Sequence, residues 1–443
     1  MSFRATVKKF IPRSLFSKIE PWGHLGEAVI FNLINGFPAK GLNVIGVTGT
    51  NGKTSTAFMI HHMLHAAGYK VGLMTTVGYG VGNDIRPQIE HMTTMQVPQL
   101  LKRIKELKKQ GAQWLVLETT SHALGQNRVW GIPFSIAVMT NVTHEHLDYH
   151  GSFERYRAAK RKLFKLCDRN RKGLRTGVIN ADDARAPLFQ SAISHSLTYG
   201  VNSGDLRAQD VKMTSGGTTY TASIGDQSYN ITCRLPGSFN VYNSLAAVGV
   251  GKVLGLGKEQ IEQGVASLQS VEGRMMNINE GQDFQLIVDY AHTPDSFEKL
   301  FGDLTPVLKG RLLVMFGSAG RRDITKREVQ GELAGEYANE VIITEEDDRD
   351  ENGGEILEQI AKGAEKAGKT RDQDLFLVHD RAEAINFVIS RAKTGDTVLL
   401  LGKGHEKNIE RAHGFDPWDE VATARQVLRK IKSLNGISNT PQV

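Results

Sequence analysis

The stretch Leu42–Ser55, LNVIGVTGTNGKTS, decides the fold. Its opening is an apolar, β-branched run of the length of one buried strand. It enters a glycine-bearing turn directly, and Thr54–Ala67 then has the composition of a helix. Strand, glycine turn and helix in that order make a phosphate cradle. The glycines let backbone N–H groups approach oxyanions, and the helix N-terminus faces them. Lys53 adds a positive charge, and the Thr54 hydroxyl is placed to bind magnesium. The spacing is a variant of the usual one: Val47 stands where a glycine is expected, with Gly46 and Gly49 on either side. Gly49, Thr50, Asn51, Gly52, Lys53, Thr54 and Ser55 are therefore the expected triphosphate-binding residues.

Working outward, short apolar runs alternate with helical stretches, the pattern of an α/β protein with a mainly parallel sheet. WLVLE (114–118), SIAVMTN (135–141) and TGVIN (176–180) read as strands, with helices over Leu100–Gln110, Phe153–Leu166 and Val241–Leu254. Residues 205–235 alternate polar and apolar and carry turn residues, as a small antiparallel insertion does. Beyond Gly273 a second series begins: FQLIVDY, RLLVMFG, EVIITE, DLFLVH and DTVLLLG, with helices between. The expected organisation is an N-terminal helical arm (1–42), a central phosphate-loop ATPase domain (43–272) and a C-terminal Rossmann-like α/β domain (273–443). Ligands of such sheets bind at the carboxyl ends of the strands.

A chain of 443 residues is too long for one core. Its 54 basic and 48 acidic residues give a net charge of +6, which suits an anionic small molecule and does not demand nucleic acid. Cys167 and Cys233 are far apart and form no disulfide framework or zinc spacing, so a cytoplasmic setting is expected. MSFRATVKKFIPRSLF is basic without a sustained apolar stretch, which argues against a signal peptide. Ala28–Ile34 is mostly apolar, interrupted by Asn32. It reads either as a short helix packed on the next domain or as part of a basic amphipathic arm for a membrane surface or protein partner.

Glu118 ends the strand WLVLE, His146 follows SIAVMTN within THEHLDYHG, and Lys160 lies on the next helix. A carboxylate and an imidazole at strand ends suit a magnesium site near phosphates. Taken singly, Glu118 also reads as a helix-cap acid, His146 as a loop histidine and Lys160 as a solvated lysine.

GTNGKT, LETTSHALGQNRV, TNVTHEHLDYHGSFERYRAAK, GSFNVYN, EGRM, VDYAHTPDS, RRDITKR and GKGHE occur in that order. Their order and spacing resemble the Mur ligases, most closely the branch adding the third amino acid to UDP-N-acetylmuramoyl-dipeptide. The resemblance covers roughly residues 43–430. It implies an ATP-dependent amide ligase working through an acyl phosphate in peptidoglycan synthesis. Lys53, Glu118, His146 and Lys160 are the implied catalytic set, with Thr54, Glu118, His146 and Lys160 holding two magnesium ions. Lys160 aligns with a lysine that family members carry as a carbamate, a CO2 adduct that turns a cation into an oxygen ligand. Asn243, Arg274, Asp289, Lys326 and Arg327 match nucleotide positions, the last two reaching phosphate from the second domain. Thr93, Thr94, Thr120, Gln126 and Arg128 match the muramoyl-peptide acceptor positions. Arg322, Asp347, Arg349, Gly402 and Glu406 match those for the incoming amino acid. A guanidinium at 349 and a carboxylate at 406 favour diaminopimelate over lysine. Asp347 and Asp348 depart from the family's asparagine and proline, which leaves lysine or another diamino acid open, and Arg321 stands where an acid is usual.

Only about forty residues precede the phosphate strand, fewer than the uridine-binding domain that third-residue ligases carry. The expected acceptor is the UDP-muramoyl-dipeptide. The alternatives are a poly-amino-acid (cyanophycin-type) or lipid-linked acceptor, a folylpolyglutamate-type activity, and an inactive nucleotide-binding partner.

Overall fold

A computed structural model describes residues 13–88, 92–143, 147–214 and 216–437. His146 and residues 1–12 of the arm lie outside them. Two compact units emerge. Among the described residues, the first spans 13–212, 219–233 and 239–268, and the second spans 213–218, 234–238 and 269–437. The architecture is α/β throughout.

The large sheet comprises β1 (Asn43–Thr48), β2 (Val71–Met74), β3 (Gly78–Val81), β4 (Asp84–Pro87), β5 (Trp114–Glu118), β6 (Phe134–Met139), β7 (Thr176–Asn180), β8 (His195–Gly200), β9 (Leu206–Thr214), β10 (Gly217–Ile224) and β11 (Gln227–Cys233). Their order is β11-β10-β9-β8-β7-β6-β1-β5-β2-β3-β4. All neighbours from β2 across to β9 run parallel. Strands of such a sheet are covered on both faces and so are continuously apolar. Val44, Ile45 and Val47 of β1 are fully buried. Two-residue connections join β9, β10 and β11, lengths that only antiparallel neighbours allow. The 205–235 segment thus prolongs one edge of the sheet.

β1 lies between β5 and β6, and the chain passes to opposite sides of it at different times. This is the topological switch point where α/β sheets open a crevice. Register brings the three strand ends level: Val47 lies opposite Glu118, and Thr48 opposite Met139.

The helices of this unit are α1 (Arg13–Ile34), α2 (Lys53–Ala66), α3 (Val97–Lys109), α4 (Ser121–Gly125), α5 (Leu147–His150), α6 (Phe153–Arg169), α7 (Ala186–Gln190), α8 (Ser238–Val253) and α9 (Lys258–Ala266). In α6 the buried residues are Tyr156, Lys160, Leu163, Phe164 and Cys167, a single helical face. Lys160 is therefore turned inward by the periodicity of its neighbours. In α1 the pattern is inverted from a simple apolar reading. Asn32 is fully buried and donates to the carbonyls of Ala28 (2.9 Å) and Trp130 (3.1 Å), while Ile30, Leu33 and Ile34 stay exposed. Among the described residues no helix is long and apolar enough to cross a membrane.

The second unit holds β12 (Met276–Ile278), β13 (Gln285–Asp289), β14 (Leu312–Phe316), β15 (Glu340–Ile343), β16 (Leu375–Leu377) and β17 (Thr397–Leu401), ordered β12-β13-β17-β14-β15-β16. All neighbours are parallel except β12 with β13. A hairpin of β18 (Asn408–Arg411) and β19 (Gly414–Pro417) follows. The helices are α10 (Pro294–Leu304), α11 (Thr325–Tyr337), α12 (Gly353–Lys366), α13 (Arg381–Arg391) and α14 (Glu420–Ile437). One face of the sheet packs Leu286, Val288, Leu313, Met315, Val398 and Leu400 against α13 and α14. Within that packing lies a fully buried ion pair. Arg381 donates twice to Glu420, at 2.8 and 2.7 Å, and once each to the carbonyls of Glu345 and Leu401. The guanidinium thus ties α13 and α14 to the ends of β15 and β17.

Candidate active site

The loop after β1 is clamped to the end of β6. Thr50 N–H donates to the Asn141 carbonyl (2.8 Å), and Asn51 N–H to the Asn141 side-chain oxygen (2.9 Å). The Thr140 hydroxyl donates to the Asn51 carbonyl at 2.6 Å. Thr50 Oγ1 lies 2.9 Å from Tyr156 Oη on α6. Two glycines are demanded by this packing. A Cβ at Gly49 would fall 1.8 Å from Thr140 Oγ1. Gly52 has φ +80°, and a Cβ there would meet Asn243 Oδ1 at 2.2 Å. Asn243 sits directly against the loop, accepting from Thr56 Oγ1 (3.2 Å) and donating to Asn240 (2.9 Å). Lys53 Nζ donates to the Thr50 carbonyl (2.7 Å), and Thr54 and Ser55 are buried in the first turn of α2.

Glu118, 1% exposed, is the hub beside this loop. Its Oε2 accepts from Thr54 Oγ1 (3.0 Å), Thr76 N–H (2.9 Å) and Thr76 Oγ1 (3.0 Å). Thr76 Oγ1 is also within hydrogen-bond distance of Thr93 Oγ1 (2.9 Å). The Glu118 carbonyl accepts from Thr94 Oγ1 (3.0 Å), which in turn accepts from Thr120 N–H (3.1 Å). Arg128 donates to the Thr94 carbonyl at 2.8 Å and to Gln126 Oε1. One hydrogen-bonded chain therefore runs from the phosphate loop to all five residues expected to hold the acceptor. Thr76, Tyr156 and Asn141 belong to it and were not singled out in the sequence. They join through contacts between distant segments, although TNVT and the tyrosine four residues before Lys160 were visible.

Lys160, 2% exposed, donates to the Gly49 carbonyl and lies 4.5 Å from the centre of the Tyr156 ring. The site thus brings Lys160, Glu118 and Thr54 to the same loop. Hydroxyl and carboxylate oxygens are the donors that magnesium takes, so Thr54 and Glu118 fit such an ion. His150 Nε2 lies 3.0 Å from Ser121 Oγ, and its ring packs against Tyr156, bridging α4 and α6.

In the second unit the expected residues gather at the carboxyl ends of its strands. Asp289 accepts from the backbone N–H of Met275 (2.7 Å) and Ala291 (2.8 Å), shaping the turn after β13. Burial raises its pKa, against the pull of Arg274. Arg274 stacks over Tyr290 at 4.6 Å. Lys403, fully buried, bridges Asp347 (2.8 Å) and Glu406 (2.6 Å). Burial opposes the Asp347 carboxylate, but Lys403 holds its pKa below the usual range. Tyr290 donates a second bond to Glu406 at 3.0 Å. Arg349 donates to Glu410 (2.7 Å) and to the Gly320 carbonyl. Neither charge of the expected clamp stands alone. Gly402 has φ +102° beside Glu346, whose carboxyl is pushed upward in pKa by burial. Lys326 reaches the His292 carbonyl at 3.3 Å, its ammonium pKa lowered by burial. Arg327 turns into the unit, bonding Gln359 (2.7 Å), Ala319 O (3.2 Å) and Glu351 (2.8 Å), and Arg322 is exposed. The structure therefore gives Arg327 a role in bracing α11.

A phosphate loop at a switch point, with a buried carboxylate and a hydroxyl oxygen beside it, defines a nucleotide-dependent enzyme. The Mur ligase middle domain model matches residues 47–251, and the Mur ligase glutamate ligase domain model matches 273–404. A UDP-N-acetylmuramyl-tripeptide synthetase of Roseiflexus sp. is 41% identical over 89% of this chain and 80% of its own length. A UDP-N-acetylmuramoyl-L-alanyl-D-glutamate–2,6-diaminopimelate ligase of Syntrophomonas wolfei is 37% identical over 90% and 80%. A solved ligase of the latter name superposes with TM-score 0.63 at 32% identity, over 89% of this chain and 79% of that one. A folylpolyglutamate synthase of Mycobacterium tuberculosis, 16% identical, shares the fold with TM-score 0.69 over 94% and 96%. The chain belongs to the Mur ligase family. It is an ATP-dependent acid–amino-acid ligase.

Proposed function

We propose that this ligase adds meso-diaminopimelate to the free carboxylate of UDP-N-acetylmuramoyl-L-Ala-D-Glu. The observation carrying this reading is the hydrogen-bonded chain from Thr54 through Glu118 to Arg128. It keeps phosphate-binding and acceptor-binding residues in fixed register, and proximity of that kind is a large part of group-transfer catalysis. The names of the relatives at 36–41% identity support the substrates.

In this reading the loop N–H groups and Lys53 orient the triphosphate. Arg128, steadied by Gln126 and Thr94, pairs with an acidic group of the acceptor. An acceptor carboxylate oxygen attacks the γ-phosphorus, the bond to the β-phosphate oxygen breaks, and ADP leaves. The amine of the incoming amino acid then attacks the acyl carbon, phosphate departs and the amine proton is lost. Thr54, Glu118, His146 and a carbamate on Lys160 would hold magnesium, which would supply charge screening for the two anions. A carbamate at Lys160 would form by addition of its amine to CO2, at a side chain that is 2% exposed.

Arg349 and Glu406 suit the distal carboxylate and ammonium of diaminopimelate. A second reading, lysine as the incoming residue, is favoured by the bond from Arg349 to Glu410, which already neutralises the guanidinium. Competing the two amino acids in one reaction and weighing the product decides between them. A diaminopimelate adduct is expected, and a lysine adduct alone contradicts the proposal.

A further inference from the structure

We propose that the end of α1 and the outer face of α3 form a docking surface for an anionic membrane. Ile30, Leu33 and Ile34 are 55%, 61% and 74% exposed. Their i, i+3, i+4 spacing groups them on one stripe of α1. The opposite side of the same turns, Ala28 and Asn32, is fully buried. The helix is therefore anchored by one face and presents an aliphatic stripe with the other. Beside Ile34 a groove of about 420 Å³ opens between segment 35–40 and α3, and four lysines line it: Lys40, Lys105, Lys108 and Lys109. Lys108 donates to the carbonyls of Pro38 and Lys40 and so holds the wall of the groove. Lys40, Lys105 and Lys109 are exposed, as is Lys102 one turn earlier on α3. Glu106 is the only acid of α3, and no carboxylate lines the groove.

Aliphatic side chains bordered by lysines match the two signals that hold a protein at a bilayer. Apolar groups enter the headgroup boundary and cations meet the negative surface potential. Charge complementarity selects anionic lipid, with lipid phosphates lying in the lysine groove. None of these residues takes part in the ligase site, so the surface is separable from activity.

Sedimentation of the full chain with vesicles tests this. Binding is expected to vesicles of phosphatidylcholine with phosphatidylglycerol, to weaken in high salt, and to be absent with phosphatidylcholine alone. The pair Lys105→Glu and Lys109→Glu is expected to weaken binding by at least roughly fivefold per lysine. The pair Leu33→Glu and Ile34→Glu is expected to abolish it. Both variants should keep the thermal melt and the ATP turnover of the unmodified chain in vesicle-free solution. No sedimentation with anionic vesicles overturns the proposal, as does undiminished binding by either variant. So does association with a soluble acidic protein in the absence of vesicle binding.

Discussion

Lys160 shows how a residue's chemistry follows from its neighbours. The spacing of Tyr156, Leu163, Phe164 and Cys167 was readable in the sequence and puts position 160 on the buried face of α6. A lysine read as one solvated cation among many is thereby excluded from water. If it is carried as a carbamate, Lys160→Ala removes an anionic oxygen ligand. ADP formation should fall to background, and added small carboxylic acids should restore part of it. Full turnover by the variant would refute the carbamate. Gly52 makes a second point, because a glycine turn was legible but its reason was not. Asn243, nearly two hundred residues away in sequence, lies where a Cβ would go. Gly52→Ala should raise the KM for ATP at least about tenfold, since a left-handed conformation alone costs ~1–2 kcal/mol for an alanine. An unchanged KM would show that the loop is less constrained than its packing indicates. Arg128→Ala should raise the acceptor KM while leaving ATP binding intact, because it removes charge-assisted bonds worth ~1.5–3 kcal/mol. Titration calorimetry with each ligand separates the two effects.

Strands were the most legible elements, because the parallel sheet demands continuous apolar runs and β7, for example, has the limits its sequence suggests. The helix at the front was harder. Its apolar residues read either as a stripe packed on the next domain or as part of an amphipathic arm, and in the fold Ala28 and Asn32 are the fully buried positions, the amide of Asn32 paid for by two hydrogen bonds. Side-chain hydrogen bonding to a remote carbonyl leaves no periodic trace. The same holds for Arg381 and Glu420, which open α13 and α14 and meet only in the folded unit. Removing one partner of a fully buried ion pair leaves the other charge uncompensated. Arg381→Ala should therefore destabilise the second unit by ~3–5 kcal/mol. Hydrogen exchange should show the loss in β15, β17, α13 and α14, and the first unit should keep its protection. Equal loss in both units, or none, would contradict this assignment.

On the scale of the whole molecule, the two units each carry the residues expected of them at the carboxyl edge of their own sheet. The conserved logic of α/β sheets made that edge legible in advance. What it hid was the pairing of charges at the edge of the second unit: Lys403 with Asp347 and Glu406, and Arg349 with Glu410. Under the proposed function the choice of amino acid rests on that pairing, and sequence motifs name only the residues. Chelation of divalent cations should silence the enzyme and added magnesium should revive it, read as ADP release. The most direct measurement is ADP and phosphate release by the purified chain with UDP-N-acetylmuramoyl-L-Ala-D-Glu and a panel of amino acids, with product masses determined. Release that requires both the acceptor and diaminopimelate, and yields the tripeptide adduct, is the expected result. Release that ignores the acceptor or the amino acid, or an adduct on a different carboxylate substrate alone, would contradict it.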